Sequence, residues 1–218
     1  MLSGRTGALP ASTVCRRAGR GSRLPVLAFF GGVNLFGGAK MSSKSASIAT
    51  KKQELLDYIA PLQRGVAASP EQAARVEEMA AALERLNPTP SPLASPLLNG
   101  RWRLEYTTSQ SILGTNKPAF LRPSGPIYQF IDGPGLRAKN QETAPFYNSV
   151  TAELSPMSKS KVAVQFKQFK IFNLLPVTAP PSARGELEVT FLDDSLRVSR
   201  GDKGNLFILV QSDSSATF

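Results

Sequence analysis

The sequence predicts a mainly β protein, an antiparallel β-barrel of about eight strands preceded by an α-helical hairpin. Three observations predict it. Apolar residues recur at helical spacing over 46–87, four prolines interrupt the chain over 87–96, and short alternating segments fill 98–212. Antiparallel strands of this number and length can close into a barrel with room for side chains or one small ligand.

The amino-terminal segment, residues 1–45, is predicted to be a disordered organelle transit peptide. The first 53 residues contain nine basic residues and no acid, since Glu54 is the first acidic residue. Positions 54–218 then hold 17 basic and 16 acidic residues, a balance of +1 within the total of +10. A nucleic-acid partner is therefore not expected, because it requires a basic face on the folded domain. The alternative for this leader is a basic tail that binds anionic surfaces.

A transmembrane span is not expected either. The most apolar stretch, Leu24–Ala39, is interrupted by glycines and shorter than the roughly 20 residues that a spanning helix needs.

Two helices are predicted over 46–87. The first carries Leu55, Ile59 and Leu62 on one face, and Pro61 marks its end. The second begins at Ser69-Pro70-Glu71-Gln72, which has the residues of a capping box with proline in the first turn. We expect this hairpin to pack on the body of the protein. A membrane-surface helix would show more Lys and Arg on its polar face.

The barrel is predicted over 98–212, after a proline-rich linker at 88–97 and before a short tail at 213–218. Trp102, Leu104 and Tyr106 alternate with charged residues on the first strand. Along 161–172 the apolar residues change parity, which predicts a β-bulge near Lys167-Gln168. The chain ends in a three-strand meander over 185–210, whose last strand, Leu206–Val210, is apolar on both faces and should be covered on both.

The residue inventory excludes the commonest catalytic and metal chemistry. The sequence has no histidine, and its one cysteine, Cys15, lies in the leader. Cysteine- or histidine-ligated metals and Ser-His-Asp or Cys-His catalysis are therefore excluded from the mature chain. We predict no catalytic residue, no metal and no cofactor.

Two sets of residues are candidates for contact with an apolar molecule. Six residues on predicted strands form an inward-facing set that lines a pocket or fills a solid core. They are Tyr106, Phe130, Val164, Phe166, Phe191 and Val198. The second set belongs to the loop 111–125, whose apolar residues and cations suit a lipid surface or a lid over the barrel. Its apolar members are Ile112, Leu113, Phe120 and Leu121.

Gly100-x-Trp102 on a first strand, with Arg197 or Arg200 near the last strands, resembles the closed end of lipocalin-like barrels, where an arginine stacks on the tryptophan. Longer segments resemble the plastid lipid-associated proteins, also called fibrillins or plastoglobulins. These segments are NGRWRLEYTTS at 99–109, GELEVTFLD at 185–193 and LRVSRGDKGNLF at 196–207. After Val210 the chain departs from the family's longer ending.

The resemblance implies a non-enzymatic chloroplast protein of the plastoglobule, thylakoid or stroma. Such proteins bind or organise lipids, prenylquinones or carotenoids, often under stress. The partners it implies are an apolar small molecule or lipid and a lipid-droplet or thylakoid surface. The alternative is an adaptor that docks a plastid enzyme. A barrel enzyme ranks last, because the strand pattern shows no inward acid.

Overall fold

A computed structural model describes residues 43–217 of the chain. The predicted transit peptide lies outside the described residues, apart from Ser43, Lys44 and Ser45, which begin the first helix. Among residues 43–217, no helix combines the length and the hydropathy that crossing a bilayer requires.

Two helices precede the sheet, as the sequence predicts. Helix α1 spans Ser43–Ile59 and continues into a 3₁₀ turn at Ala60–Leu62, and helix α2 spans Pro70–Glu84. The capping box at the start of α2 is formed. The backbone N–H of Gln72 donates to Ser69 Oγ, and the backbone N–H of Ser69 donates to Gln72 Oε1. Two further 3₁₀ turns, Pro92–Ala94 and Pro96–Leu98, occupy the proline-rich segment.

Nine strands follow, and eight of them close into an antiparallel barrel, which confirms the predicted fold class. The circle runs β1-β2-β3-β4-β5-β7-β8-β9 and returns to β1, while β6 pairs only with β5. A short helix, α3 (Gln110–Leu113), lies between β1 and β2. The strands are β1 Gly100–Thr107, β2 Ile127–Asp132, β3 Arg137–Glu142, β4 Ser149–Pro156, β5 Lys161–Ile171, β6 Leu175–Thr178, β7 Arg184–Leu192, β8 Leu196–Gly201 and β9 Leu206–Asp213.

The sheet has two apolar faces, because the helix pair covers part of its outside. The barrel interior and the layer between the helices and the sheet each form a buried core. Strand β9 contributes to both, with Phe207 and Leu209 inside and Leu206, Ile208 and Val210 beneath the helices. This double coverage confirms the expectation for the last strand. The interior core consists of Leu98, Trp102, Leu104, Ile127, Ile131, Val189, Leu192 and Leu209.

Bulges decide which side chains enter which core. The register between β1 and β9 shifts between Leu104 and Tyr106, and that between β7 and β8 shifts between Val189 and Phe191. Each shift inserts one residue and reverses the alternation beyond it. The predicted bulge in β5 is also present, because Ala152 pairs with Phe166 whereas Thr151 pairs with Gln168.

One end of the barrel carries the two longest strand connections, 108–126 and 143–148, and we call it the loop end. The segments at this end are 108–126, 143–148, 172–174 and 202–205. They lie together because each antiparallel strand begins at the end of the barrel where the preceding strand finishes. The opposite end carries the shorter turns 133–136, 157–160 and 193–195.

Candidate lipid-binding site

Trp102 and Arg197 pack together inside the barrel, and both are fully buried. The Arg197 guanidinium carbon lies 4.9 Å from the centroid of the indole ring, within the range of a cation–π contact. The indole Nε1 donates to the Leu98 carbonyl oxygen at 2.9 Å. Gly100 starts the strand at φ +102°, and a Cβ there would lie 2.5 Å from the Asp213 carbonyl oxygen, so the residue two positions before the tryptophan must be glycine.

Arg197 is a buried cation without a carboxylate partner among the described residues. Its Nη2 donates to Gln129 Oε1, and Gln129 Nε2 donates in turn to Asn140 Oδ1 at 2.8 Å. Its Nε and Nη1 have no hydrogen-bond partner. Burial lowers the pKa of Arg197 to about 9, because desolvation disfavours the charged form.

Arg200 has a different place from Arg197. It lies on the outside of β8, where its Nε donates to Glu84 Oε1 at 2.7 Å and its Nη2 lies 2.6 Å from Glu77 Oε1. These two carboxylates of α2 raise the pKa of Arg200 above its ordinary value. Thr190 Oγ1 also donates to Glu84 Oε1, at 2.6 Å. Arg200 therefore attaches α2 to the outside of the barrel and does not contact Trp102.

The structure divides the six predicted pocket residues between different surroundings. Tyr106, Phe191 and Val198 belong to the core beneath the helices, because the bulges in β1 and β7 turn the first two away from the interior. Phe130 alternates with Gln129 and Ile131 and lies outside, where Lys139 Nζ is 5.4 Å from its ring centroid. Desolvation, the largest cause, raises the pKa of the Tyr106 phenol.

Val164 and Phe166 remain on the inner face, and they belong to an apolar stripe that runs the length of β5. The stripe begins at Val162, which is 4% exposed, and passes the half-buried Val164 and Phe166. It ends at Phe169 and Ile171, which are 37% and 38% exposed. The rings of Phe166 and Phe169 stack with centroids 6.4 Å apart. The stripe therefore connects the barrel interior to solvent at the loop end.

The inner faces of β3 and β4 carry small and polar side chains that the sequence analysis did not select. Ala138 pairs with Ala152, and Asn140 pairs with Val150. Glu142 lies on the same face of β3 as Asn140 and accepts a hydrogen bond from Asn148 Nδ2 at 2.9 Å. The expectation that no acid lies on an inner face was wrong, because β3 is too polar for its alternation to show which face is inner. The register with Ile127 on β2 reveals the placement.

The loop after β1 is partly core and partly surface. Leu113 is buried, and Ile112 packs against the barrel core. Phe120 and Leu121 are exposed, at 77% and 36%. The loop is tied down by Arg64, whose Nη2 donates to the Pro123 carbonyl oxygen at 2.7 Å. A lipid contact by this loop thus has two of its four predicted residues available.

Within residues 43–217, no group of three or more His, Cys, Asp or Glu side chains is placed to hold a metal ion. A closed antiparallel barrel with an internal Trp–Arg pair and one apolar stripe leading outward defines the lipocalin-like class.

Comparisons with known proteins specify the family. The PAP_fibrillin family profile matches residues 49–210. A probable plastid-lipid-associated protein 5 of Arabidopsis thaliana chloroplasts is 44% identical, over 94% of this chain and 84% of its own length. A chromoplast-specific carotenoid-associated protein of an Oncidium hybrid is 30% identical over 77% of this chain and 70% of its own. Plastoglobulin-1 of Pisum sativum chloroplasts is 30% identical over 75% of this chain and 61% of its own length.

The chain belongs to the PAP_fibrillin family, which confirms the resemblance noted in its sequence. Like the relatives from Arabidopsis thaliana and Pisum sativum, which are named chloroplastic, it is a chloroplast protein.

Proposed function

We propose that this protein binds an apolar small molecule of the chloroplast on the inner face of β5, at the loop end of the barrel. A membrane or storage lipid, a prenylquinone or a carotenoid is the class of ligand, held without covalent chemistry at a plastoglobule or thylakoid. The names of the relatives, which include a carotenoid-associated protein and a plastoglobulin, support this class.

The β5 stripe is the observation that carries the proposal. Its apolar side chains share one face and pass gradually from buried to exposed. An apolar molecule lying along it would remove Phe166 and Phe169 from water, which contributes roughly 25 cal/mol for each Å² of apolar area buried. The facing strands add polar groups, Asn140 and Gln129, that suit a ligand with a polar end.

The Trp102–Arg197 region is not the proposed ligand position. The side chains of both residues are fully buried, and the unpaired nitrogens of Arg197 have no solvent-accessible surface. We therefore assign this pair to closing the barrel, and assign binding to the stripe.

Co-purification tests the proposal. The full chain is purified without detergent, and the molecules that it retains are extracted and identified by mass spectrometry. We expect a stoichiometric apolar compound from the wild type and its loss from Phe166→Asp, because a carboxylate on the stripe must be desolvated when the ligand binds.

The matched control is Gln168→Asp, which places the same charge two residues away on the outer face of β5. It should retain the compound. Phe169→Asp, at a more exposed position of the stripe, provides a second variant if Phe166→Asp is unstable to heating. A folded wild type that carries no apolar compound would contradict the proposal and favour the adaptor.

A further inference from the structure

The surface with the densest exposure of apolar side chains is a two-stranded projection that we call the arm, residues 167–178. It consists of the end of β5 beyond the bulge at Lys167, the following turn, and β6. Strand β7 pairs with β5 only as far as Gln165, so beyond that point β6 is the neighbour of β5 on this side. Every residue of the arm is exposed.

Exposed apolar side chains are concentrated at this end of the barrel. Thirteen large apolar residues are exposed within the described chain, and nine of them lie on the arm or on the neighbouring loop-end segments. Leu174 is 83% exposed, and Leu175 is 60% exposed. A soluble monomer rarely concentrates exposed large apolar side chains at one end unless that surface meets a partner. The nine are Phe120, Leu121, Tyr147, Phe169, Ile171, Phe172, Leu174, Leu175 and Val177.

The arm is held in place. The Phe172 ring makes an edge-to-face contact with Phe146, with centroids 5.4 Å apart, and the Phe172 amide donates to Asn148 Oδ1 at 3.2 Å. Phe172 and Asn173 adopt φ of 53° and 55°, which closes a tight turn. These contacts fix the turn of the arm against the 143–148 segment.

Charge distinguishes a lipid layer from a protein as the partner. From residue 155 to residue 185 the chain has five basic residues and no acid. Lys167 and Lys170 lie on the arm itself, and Lys167 Nζ is paired with Glu153 Oε2 of β4 at 2.7 Å. The loop 109–125 also has cations, Lys117 and Arg122, and no acid. Apolar tips flanked by cations suit a layer with anionic headgroups, where the apolar residues enter the acyl region and the cations remain at the surface. A protein strand is a poorer partner, because Pro176 removes a backbone donor from β6.

We infer that the arm inserts its apolar tip into the surface of a lipid layer that carries anionic headgroups. The exposed tip of the 109–125 loop, Phe120 and Leu121, lies at the same end of the barrel and makes a second, smaller contact. This orientation presents the outer end of the β5 stripe to the lipid. The inference does not depend on a ligand inside the barrel.

Site-specific labelling tests the inference without interference from the basic leader. In a full chain carrying Cys15→Ser, a polarity-sensitive fluorophore is attached through Leu174→Cys or, as the control, through Met157→Cys. Met157 is 55% exposed and lies at the opposite end of the barrel. The probes are vesicles of phosphatidylcholine, with or without phosphatidylglycerol. We expect a blue shift at position 174 with the anionic vesicles and none at position 157.

Vesicle flotation supplies the second measurement. Leu174→Gln with Leu175→Gln should reduce the affinity for anionic vesicles by roughly tenfold or more, because two apolar side chains no longer insert. The matched control, Leu97→Gln with Met157→Gln, removes two exposed apolar side chains elsewhere and should leave the affinity unchanged.

Three results would overturn the inference. The first is a fluorophore at position 174 whose emission does not shift when anionic vesicles are added. The second is an equal emission shift at positions 174 and 157. The third is a wild-type protein that is dimeric in solution while the variant Leu174→Gln with Leu175→Gln is monomeric. The last would make a second copy the partner. Failure of the ligand proposal is a separate result, since it is measured by extraction of the protein without vesicles.

Discussion

Arg197 shows what a single buried cation costs this barrel and what it contributes to it. A guanidinium that is fully buried beside one amide oxygen and an indole ring is a costly group, since its charge is desolvated and two of its nitrogens are unpaired. Its planar shape and its aliphatic stem fill the space over Trp102. Packing and the cation–π contact, rather than an ion pair, are what it contributes.

This environment predicts that methionine at position 197 destabilises the protein less than lysine does. Arg197→Met should change the free energy of unfolding by only about 1 kcal/mol, because a side chain of similar length replaces the stem and removes a desolvated charge. Arg197→Lys should cost about 3 kcal/mol although it keeps the charge, because a buried ammonium cannot stack flat on the indole. Urea unfolding measures both variants. If lysine proves better tolerated than methionine, the charge itself has a role that packing does not explain.

At the scale of elements, helix α2 is fastened to the outside of the barrel by charge as well as by apolar contact. Val76, Ala80 and Leu83 are buried against the sheet, and Arg200 forms the bidentate pair with Glu84 at 2.7 and 3.0 Å. Glu84 is the more buried of the two acceptors, with 17% of its side chain exposed against 47% for Glu77. Burial makes the pair with Glu84 the stronger one.

Two isosteric substitutions on α2 separate these pairs. We expect Glu84→Gln to reduce the free energy of unfolding by about 2 kcal/mol, because it leaves a partly buried guanidinium and Thr190 with a neutral acceptor. Glu77→Gln should cost less than about 1 kcal/mol, in the range of exposed pairs. Thermal or urea unfolding at low and high salt measures both. Equal losses for the two variants would show that burial does not distinguish the pairs.

At the scale of the whole molecule, the barrel is closed by pairing strands that are distant in sequence. Trp102 on β1 pairs with Gln211 on β9, 109 positions further on. Each of the eight barrel strands thereby has neighbours on both sides, and within residues 43–217 the sheet has no open edge other than β6. Without β9, β1 and β8 would both become edges, and the interior and helix-side cores would both lose one wall.

Truncation tests this closure. A chain that ends at Asn205 lacks β9 and should lose cooperative unfolding altogether, because Leu206, Ile208 and Leu209 leave both cores incomplete. A chain that ends at Asp213 keeps every strand and should unfold near the wild-type midpoint. Circular dichroism during heating compares the two. A cooperative transition in the shorter chain would mean that closure contributes little to stability.

The class of structure and the order of its elements along the chain follow from local sequence patterns. Helical spacing over 46–87, the capping residues at Ser69 and Gln72, and the alternation on the later strands depend on local backbone geometry, which neighbouring residues specify. The bulge near Lys167 was also predictable, because a change of parity within one strand requires an extra residue. The segments 99–109, 185–193 and 196–207 were sufficient to indicate the family.

Which face of each strand lies inside the barrel depends on the packing of elements that are distant in sequence. The helix pair makes part of the outer face as apolar as the interior, so the apolar side of β8, with Leu196 and Val198, lies under the helices and Arg197 points inward. Bulges in β1 and β7 likewise move Tyr106 and Phe191 out of the predicted pocket. Alternation of apolar and polar residues shows that the two faces of a strand differ. The packing of distant elements determines which face is covered, and whether the barrel interior or the helices cover it.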